Sequence, residues 1–207
     1  MGINTELEQV RAGIQVVIES PTLIISRKLT IKQRLKNGGF MLKALKESKW
    51  KYVNKDVVSI IKSDYENNTL KRKGMFLYGI NGTGKTYLLH LIAEKLAEKY
   101  NHYPEYIRFT ELLKMFFQNY DGKRYNNIKN ANSLFIDEFG KGVDNNYYNS
   151  ELEDLLEYRI MNYLPTYFAS NYSIESLAKR GMKSVCDRLA DSKTFRIIEY
   201  GNLSKRK

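Results

Sequence analysis

Residues 79–86 read Gly-Ile-Asn-Gly-Thr-Gly-Lys-Thr, a full match to the pattern G-x-x-x-x-G-K-[ST]. In this pattern the backbone N–H groups turn inward around phosphates, the Lys reaches the β- and γ-phosphates, and the Thr hydroxyl can ligate Mg²⁺. An apolar run at residues 75–78 predicts a strand before the loop, and helical spacing predicts a helix over residues 87–99. This order places an anion at a helix N-terminus. The sequence therefore predicts an ATP site formed by Gly79, Asn81, Gly82, Thr83, Gly84, Lys85, Thr86 and Tyr87.

A second apolar run, residues 133–136, ends in the acidic pair Asp137 and Glu138. An isolated pair of this kind could be solvated acids at a strand end. Downstream of a phosphate loop, it predicts a carboxylate at the edge of a parallel sheet where ligands bind. Asp137 and Thr86 are then the candidate Mg²⁺ residues. Glu138 is the candidate base that polarises the attacking water.

The composition of the chain limits the classes of protein that it can belong to. Its 207 residues suffice for one α/β domain with a short appendage. The single cysteine, Cys186, excludes an internal disulfide and a cysteine-based zinc cluster. No apolar run approaches the roughly 20 residues of a membrane helix, and no signal peptide is recognisable at the N-terminus. We therefore expect a cytoplasmic protein with no membrane partner.

The net charge of +11 favours a polyanionic partner, most simply nucleic acid. A solvated, lysine-rich surface is the alternative explanation of the same charge.

Hydrophobic periodicity predicts the order of the elements. Residues 1–20 read as an amphipathic helix, residues 30–36 as a short helix and residues 40–67 as a long one, with a linker at residues 37–39. We place a helical extension at residues 1–45 and the ATPase domain at residues 46–207. In the domain, strands alternate with helices, and residues 119–132 read as a polar segment with a turn at residues 121–124. This alternation predicts an α/β fold with a parallel, five-stranded sheet covered by helices on both faces.

Several stretches, in this order along residues 50–207, resemble the AAA+ ATPases of the DnaC/IstB type. That family comprises bacterial replicative helicase loaders and their relatives in transposition. The matching stretches are residues 74–79, residues 109–113, Glu157-Tyr158-Arg159, Pro165-Thr166 followed by Ser170-Asn171, residues 184–189, and residues 195–206.

The resemblance implies roles for single residues. Lys85, Glu138 and Asn171 would be catalytic in cis, with Asn171 as a polar sensor of the water or the γ-phosphate. Arg188 would act as an arginine finger in a neighbouring subunit, so a homo-oligomer would form on ATP binding. Its alternative is a surface salt bridge. Lys205 and Arg206 could act as a second sensor or be a frayed basic terminus.

The family also implies a Mg²⁺-dependent ATPase with a minimal lid, which hydrolyses ATP weakly until it is assembled. Members that resemble this chain bind single-stranded DNA in a central channel. The candidate contacts here are cations and aromatic side chains, namely Lys114, Lys123, Arg124, Lys129, Phe116, Phe117, Tyr120 and Tyr125.

The expected function is ATP-dependent loading of a replicative DNA helicase onto single-stranded DNA during replication initiation. The compact chain would suit a phage or mobile-element version. A stripe of Leu7, Val10, Ile14, Val17 and Ile18 would dock on the helicase or pack back on the ATPase domain. Three alternatives stay open: a transposition helper ATPase of the IstB type, a P-loop phosphotransferase, and a binding module that uses ATP as a switch without hydrolysis.

Overall fold

The computed structural model of the chain describes residues 14–19, 22–27, 29–117, 122–142 and 147–200. Two strands come first, β1 (Ile14–Glu19) and β2 (Thr22–Arg27), followed by helices α1 (Ile31–Asn37), α2 (Leu42–Glu47) and α3 (Lys55–Glu66). The remaining elements are β3 (Gly74–Tyr78), α4 (Lys85–Tyr100), β4 (Pro104–Arg108), α5 (Phe109–Phe117), α6 (Gly122–Asn130), β5 (Ser133–Phe139), α7 (Tyr147–Met161), β6 (Thr166–Ser170), α8 (Ile174–Leu177), α9 (Lys183–Ala190) and β7 (Phe195–Glu199).

Strands β3 to β7 form one sheet in the order β4-β5-β6-β3-β7, and all of its neighbouring strands are parallel. The predicted five-stranded parallel sheet is therefore confirmed. Because the strands are parallel, their carboxyl ends lie along one edge, where open α/β sheets bind their ligands. Strands β3, β5 and β6 end at this edge. The phosphate loop follows β3, the Asp137–Glu138 pair lies near the end of β5, and Ser170-Asn171 lies at the end of β6.

The central strands are buried on both faces. Side chains alternate along a strand, so Phe76 packs on one face while Met75 and Leu77 pack on the other. Helix α4 covers the Met75 face together with α1 and α3, whereas α5, α6, α7 and α9 cover the Phe76 face. The predicted covering of both faces is confirmed, and it explains the nearly continuous apolar runs of these strands.

Arg159 is buried and ties β6 to the elements beside it. Its guanidinium donates to the Thr166 hydroxyl at 2.9 Å and to the carbonyls of Pro165 at 2.8 Å and Ile128 at 3.0 Å. It also donates to the carbonyls of Lys129 and Ala131. A fully satisfied buried cation of this kind fixes the end of α6 and the start of β6. This residue, part of the Glu157-Tyr158-Arg159 stretch of the resemblance, therefore has a structural place in the fold.

The predicted helix over residues 1–20 is wrong where the structure describes it. Residues 14–19 form β1, which pairs antiparallel with β2 in the register Ile14↔Arg27 to Glu19↔Thr22. The β-branched residues of both segments favour strands over helices, and only Ser20 and Pro21 separate the two strands in the sequence. The Leu7 and Val10 part of the predicted stripe lies outside the described residues, and Ile14, Val17 and Ile18 lie on a strand.

Two further predictions of local structure are wrong. The expected helix over residues 40–67 is divided into α2, a 3₁₀ turn at Trp50–Tyr52 and α3. Asn54 causes the new start, because its side chain accepts from the Asp56 N–H at 2.8 Å and caps α3. The turn expected at residues 121–124 is replaced from Gly122 onward by helix α6, with Ile128 buried on the sheet.

The predicted linker at residues 37–39 packs tightly on β4. The Tyr106 N–H donates to the Gly38 carbonyl at 2.7 Å, and a Cβ on Gly38 would lie 1.9 Å from the Pro104 carbonyl oxygen. Leu35 and Phe40 on either side are buried in the core of the domain. The boundary at residue 45 stays a prediction, but residues 31–44 lie against β4 and α4.

Candidate nucleotide-binding site

The loop at residues 79–84 joins β3 to α4 and takes the conformation that its glycines allow. Gly82 and Gly84 have φ values of 79° and 99°, which side chains with a Cβ rarely adopt. Helix α4 begins at Lys85 directly after the loop. The first N–H groups of a helix have no partner within the helix and attract anions. The local geometry is therefore that of a phosphate cradle.

Lys85 lies inside this loop. Its ammonium donates to the carbonyls of Gly79 at 2.7 Å and Ile80 at 2.8 Å, and it lies 3.4 Å from the Thr83 hydroxyl. The residue is only 7% exposed. A buried ammonium held by carbonyl oxygens is positioned for a stronger anionic partner such as a phosphate. The contact of Lys85 with the β- and γ-phosphates stays a prediction.

Thr86 and Asp137 meet across the α4–β5 contact. The Thr86 hydroxyl donates to Asp137 Oδ2 at 2.8 Å, and Asp137 Oδ1 accepts the Glu138 N–H at 2.8 Å. Asp137 is 5% exposed. Hydroxyl and carboxylate oxygens are the ligands that Mg²⁺ prefers, and this ion is commonly held by one or two protein groups together with substrate phosphates. The donor set therefore fits Mg²⁺, with Thr86 and Asp137 as the residues that would hold it.

Glu138 follows at the cleft with an unusual backbone. Its φ is 54°, in the left-handed region that non-glycine residues occupy mostly at turns and functional sites. The β5–β6 register shifts between Ile136 and Phe139, on either side of this residue. Its carboxylate lies 3.1 Å from the Lys141 ammonium and is 39% exposed. The shift turns the Glu138 side chain toward the cleft while Asp137 stays buried.

The two residues after β6 have different surroundings. Ser170 is buried, and its hydroxyl donates to the Phe139 carbonyl at 2.8 Å and accepts the Tyr172 N–H at 3.0 Å. Asn171 instead lines the cleft beside the phosphate loop. Ser170 is thus committed to the backbone, and Asn171 is the member of the pair that can meet a ligand.

The cleft has a volume of about 1390 Å³. Besides residues 81–88, Asp137, Glu138 and Asn171, it is lined by Leu91, Ala169, Glu199, Tyr200 and part of the segment between α2 and α3. That last wall comprises Glu47, Lys49, Lys51, Tyr52, Val53 and Asn54. A cleft with apolar, aromatic and phosphate-binding walls suits a nucleotide.

The structure thus brings together the predicted residues of the phosphate loop, Asp137, Glu138 and Asn171. Sequence analysis missed Tyr200 and the wall at residues 47–54. The wall was hidden because residues 40–67 read as one helix, although Asn54 before an apolar helix was a readable capping signal. Tyr200 gave no signal in the sequence that would point to the cleft.

Arg188 lies on α9 and does not line the cleft of its own chain. Its guanidinium donates to the Ser184 hydroxyl at 2.9 Å and lies 3.2 Å from the Glu157 carboxylate and 3.6 Å from the Glu153 carboxylate. It is therefore held against α7. Lys205 and Arg206, the predicted second-sensor candidates, lie outside the described residues.

Within the ranges that the structure describes, no helix has both the length and the apolar character needed to cross a bilayer.

Comparison with known proteins gives the following relationships. No family model matches the chain. The chain is similar to the replicative helicase loader DnaI of Bacillus subtilis (strain 168), with 32% identity over 139 residues. The match covers 64% of this chain and 44% of that protein, so the chain spans less than half the length of this curated relative.

Two solved structures are similar in fold. One is a protein of Streptococcus pyogenes serotype M3 described as a primosome component, with a TM-score of 0.66 and 25% identity, covering 80% of this chain and 92% of that chain. The other is the DnaC helicase loader, with a TM-score of 0.60 and 20% identity, covering 70% of this chain and 89% of that chain.

Proposed function

We propose that this chain, which is similar to the replicative helicase loader DnaI over 64% of its length, is an ATPase that loads a replicative DNA helicase onto single-stranded DNA. The observation that carries the ATPase part is the cleft that joins the phosphate loop, the Thr86–Asp137 pair, Glu138 and Asn171. The likeness to a replicative helicase loader carries the choice of partner.

In the proposed reaction, the N–H groups at the start of α4 and the Lys85 ammonium bind the ATP phosphates. Thr86 and Asp137 would hold Mg²⁺, which would supply positive charge beside the phosphates. Glu138 accepts a proton from the attacking water, and Asn171 orients that water or the γ-phosphate. Arg188 of one subunit completes the site of the next, so a homo-oligomer forms when ATP binds and turnover is weak before assembly.

The rival functions differ in what the cleft must bind. A phosphotransferase needs room for a second substrate at the γ-phosphate end, where Glu138 and Asn171 stand beside the phosphate loop. These two groups suit a water nucleophile better than a bulky acceptor. A transposition helper ATPase would have the same cleft, and only its partner would distinguish it from a loader.

The N-terminal part of the chain is the proposed helicase-binding element. Residues 31–44 contribute Leu35, Phe40 and Ala44 to the buried core, so their apolar side chains are committed to the domain. We therefore assign docking to residues 1–28, which include the β1–β2 pair, and not to the whole of residues 1–45. A truncated protein that begins at residue 29 should no longer bind the helicase and should still bind ATP.

The first prediction tests the function through Lys85→Ala. Wild type should bind the replicative helicase of the organism that encodes it and, with ATP, place that helicase on circular single-stranded DNA. Lys85→Ala should keep helicase binding and fail to load. Hydrogen bonds to charged groups contribute about 1.5–3 kcal/mol each, so losing the ammonium should weaken ATP binding by about 100-fold or more.

The measurements are co-purification, ATP titration and helicase-dependent unwinding of the DNA. Lys95→Ala is the matched control, because Lys95 lies on the same helix and pairs with Glu98 at the surface. Loading by Lys85→Ala at the wild-type rate would contradict the ATP role. Association with a transposase in place of a helicase would favour the transposition alternative.

The proposed DNA contacts require cations that the fold leaves available. Of the candidates in α5 and α6, Arg124 is paired with Glu105 and donates to the Tyr106 carbonyl at 3.3 Å. The Lys129 ammonium lies 4.2 Å from the centre of the Tyr158 ring. Both have partners within the domain and are half-buried, whereas Lys114 and Lys123 are exposed.

A second group of cations surrounds a depression of about 380 Å³ at the amino ends of β3 and β7. It is lined by Lys71, Arg72, Lys73 and Lys193 together with Asn67, Asn68 and Thr69, with no carboxylate among them. Because Lys73 donates to the Ser192 carbonyl and the Lys71 ammonium lies 5.2 Å from the centre of the Tyr100 ring, Arg72 and Lys193 are the two members that the test below changes. Because the phosphate loop follows the carboxyl end of β3, this depression lies at the opposite edge of the sheet. A DNA strand bound there would not compete with ATP, and we assign DNA contact to this group.

The second prediction compares two charge reversals. Arg72→Glu with Lys193→Glu should weaken binding of single-stranded DNA and lower the slope of log K against log[salt] by about 1.4, since each phosphate contact contributes about 0.7. ATP binding should not change. The measurement is fluorescence anisotropy of a labelled oligonucleotide at several salt concentrations. The comparison pair is Lys114→Glu with Lys123→Glu, and a loss confined to that pair would place the DNA on α5 and α6.

A further inference from the structure

Tyr106 of β4 reaches the carboxylate that the Mg²⁺ site needs. Its hydroxyl donates to Asp137 Oδ2 at 2.8 Å, the same oxygen that accepts the Thr86 hydroxyl at 2.8 Å. The Glu138 N–H occupies Oδ1. The Asp137 carboxylate thus has three donors from three different elements, namely α4, β4 and β5. Two of them come from the predicted site, and Tyr106 is the third.

The position of Tyr106 is set from the side opposite Asp137. Its N–H donates to the Gly38 carbonyl at 2.7 Å. Its ring packs against Phe40 and His90, each with a centroid separation of 5.3 Å, and the residue is 5% exposed. A ring that is hydrogen-bonded at its backbone and packed on its faces has little freedom to move its hydroxyl away from Asp137.

His90 contacts both the Tyr106 ring and the Thr86 backbone. Its Nδ1 lies 2.7 Å from the Thr86 carbonyl oxygen, which can only accept, so Nδ1 carries the proton. The segment at Gly38 to Phe40, Tyr106 and His90 together form a buried layer behind the Thr86–Asp137 pair.

We infer that Tyr106 is a positioning residue for Asp137, which it holds in the orientation that receives Mg²⁺. This inference rests on the proposed ATPase function. Ligands of a metal are commonly oriented by hydrogen bonds from outer groups, and losing such a group typically weakens metal binding by about 10- to 100-fold. Without the phenol, Oδ2 keeps only Thr86, a residue that must itself serve the metal.

The test is Tyr106→Phe, which removes one oxygen and keeps the ring. The Mg²⁺ concentration that gives half-maximal binding of a fluorescent ATP analogue should rise by about 10-fold. Binding of the analogue in EDTA, without Mg²⁺, should stay within about twofold of wild type. The control is Tyr167→Phe, because Tyr167 is likewise a buried tyrosine of the sheet, and the change removes its hydroxyl bond to the Leu70 carbonyl. That control should keep the wild-type Mg²⁺ dependence.

A double variant shows whether the effect passes through Asp137. In an Asp137→Asn background, Tyr106→Phe should add no further shift in the Mg²⁺ requirement. An unchanged Mg²⁺ requirement in Tyr106→Phe, or the same shift in Tyr167→Phe, would overturn the inference. So would an equal added shift in the Asp137→Asn background. If the wild-type protein itself binds the analogue without any Mg²⁺ dependence, the proposed function fails instead.

Discussion

Replacing Glu138 with Gln should leave ATP binding within a few-fold of wild type and lower ATP turnover by about 10²- to 10⁴-fold, the usual contribution of a general base. The amide has the size of the carboxylate and cannot take a proton from water. Because Glu138 lies outside the phosphate loop, the contacts of Lys85 and Thr86 remain. The measurement is steady-state phosphate release at saturating ATP, with the helicase and single-stranded DNA present, beside an ATP titration.

Glutamine is chosen at position 138 because it preserves the backbone conformation there. Glu138 has a φ of 54°, and a β-branched residue there would add backbone strain of its own. Gln keeps the unbranched stem and hence the backbone conformation. It also loses the Lys141 ion pair, but that pair is about half exposed and contributes at most about 1 kcal/mol to stability.

The matched control is Glu199→Gln, since Glu199 is an acidic residue that also lines the cleft. Its carboxylate lies 3.4 Å from the Tyr78 hydroxyl, away from Asp137. This variant should turn over ATP at close to the wild-type rate. Equal turnover by Glu138→Gln and wild type would assign the base to another group.

The sequence predicts most of the candidate nucleotide cleft because the chemistry there is local. A phosphate loop requires glycines, a lysine and a hydroxyl at fixed spacing, and these fix β3, the loop and the start of α4. Asp137 could be placed because a buried parallel strand ends at the edge where ligands bind. In both cases the residue type and its position on one element were sufficient.

The remaining features depend on contacts between elements that are distant in sequence. Tyr106 reads as an apolar strand residue, and its hydroxyl becomes meaningful only when β4 pairs with β5 in the register Tyr106↔Phe135. Gly38 reads as a linker, but β4 approaches it so closely that no side chain fits. Such approaches are set by the sheet and its packing, so local patterns do not report them.

Helix α6 shows a different limit. Only Ile128 among its residues is fully buried, so its apolar stripe is too narrow for periodicity to detect. Tertiary contacts stabilise it, including the Arg159 bonds to the carbonyls of Ile128 and Lys129 at its last turn. The helix predicted at the N-terminus is wrong for another reason. The apolar residues there fit helical spacing and strand spacing equally well, and their β-branched side chains favour strands.

Replacing Arg188 with Ala should lower ATP turnover of the assembled protein by about 10³- to 10⁵-fold, the effect of an arginine finger supplied from a neighbouring subunit. Within its own chain, Arg188 is held by Glu153 and Glu157. To act as a finger it must exchange these partners for a γ-phosphate across an interface. Its side chain is 30% exposed, so the contacts it would give up contribute only about 0.2–1 kcal/mol each.

Because these contacts contribute so little to stability, removing them distinguishes the two roles of Arg188, an arginine finger and a structural salt bridge. If Arg188 only joins α9 to α7, then Glu153→Gln with Glu157→Gln should reproduce the behaviour of Arg188→Ala. Both variants would then lower the melting temperature by a few degrees, as expected for a loss of about 1 kcal/mol of stability. If Arg188 is a finger, the glutamine pair should keep turnover or raise it, because it frees the guanidinium. Melting curves and phosphate release on the same samples decide between the two.

Mixing two inactive proteins tests action across an interface. Arg188→Ala has an intact cleft but lacks the arginine finger, whereas Lys85→Ala has the arginine finger but binds ATP weakly. In a mixed assembly, an Arg188→Ala cleft that faces a Lys85→Ala subunit has all of its groups. For random neighbours in an equal mixture, about one interface in four is complete, so turnover should recover to roughly a quarter of wild type. A mixture that co-assembles by light scattering and stays as inactive as its components would leave Arg188 with the structural role alone.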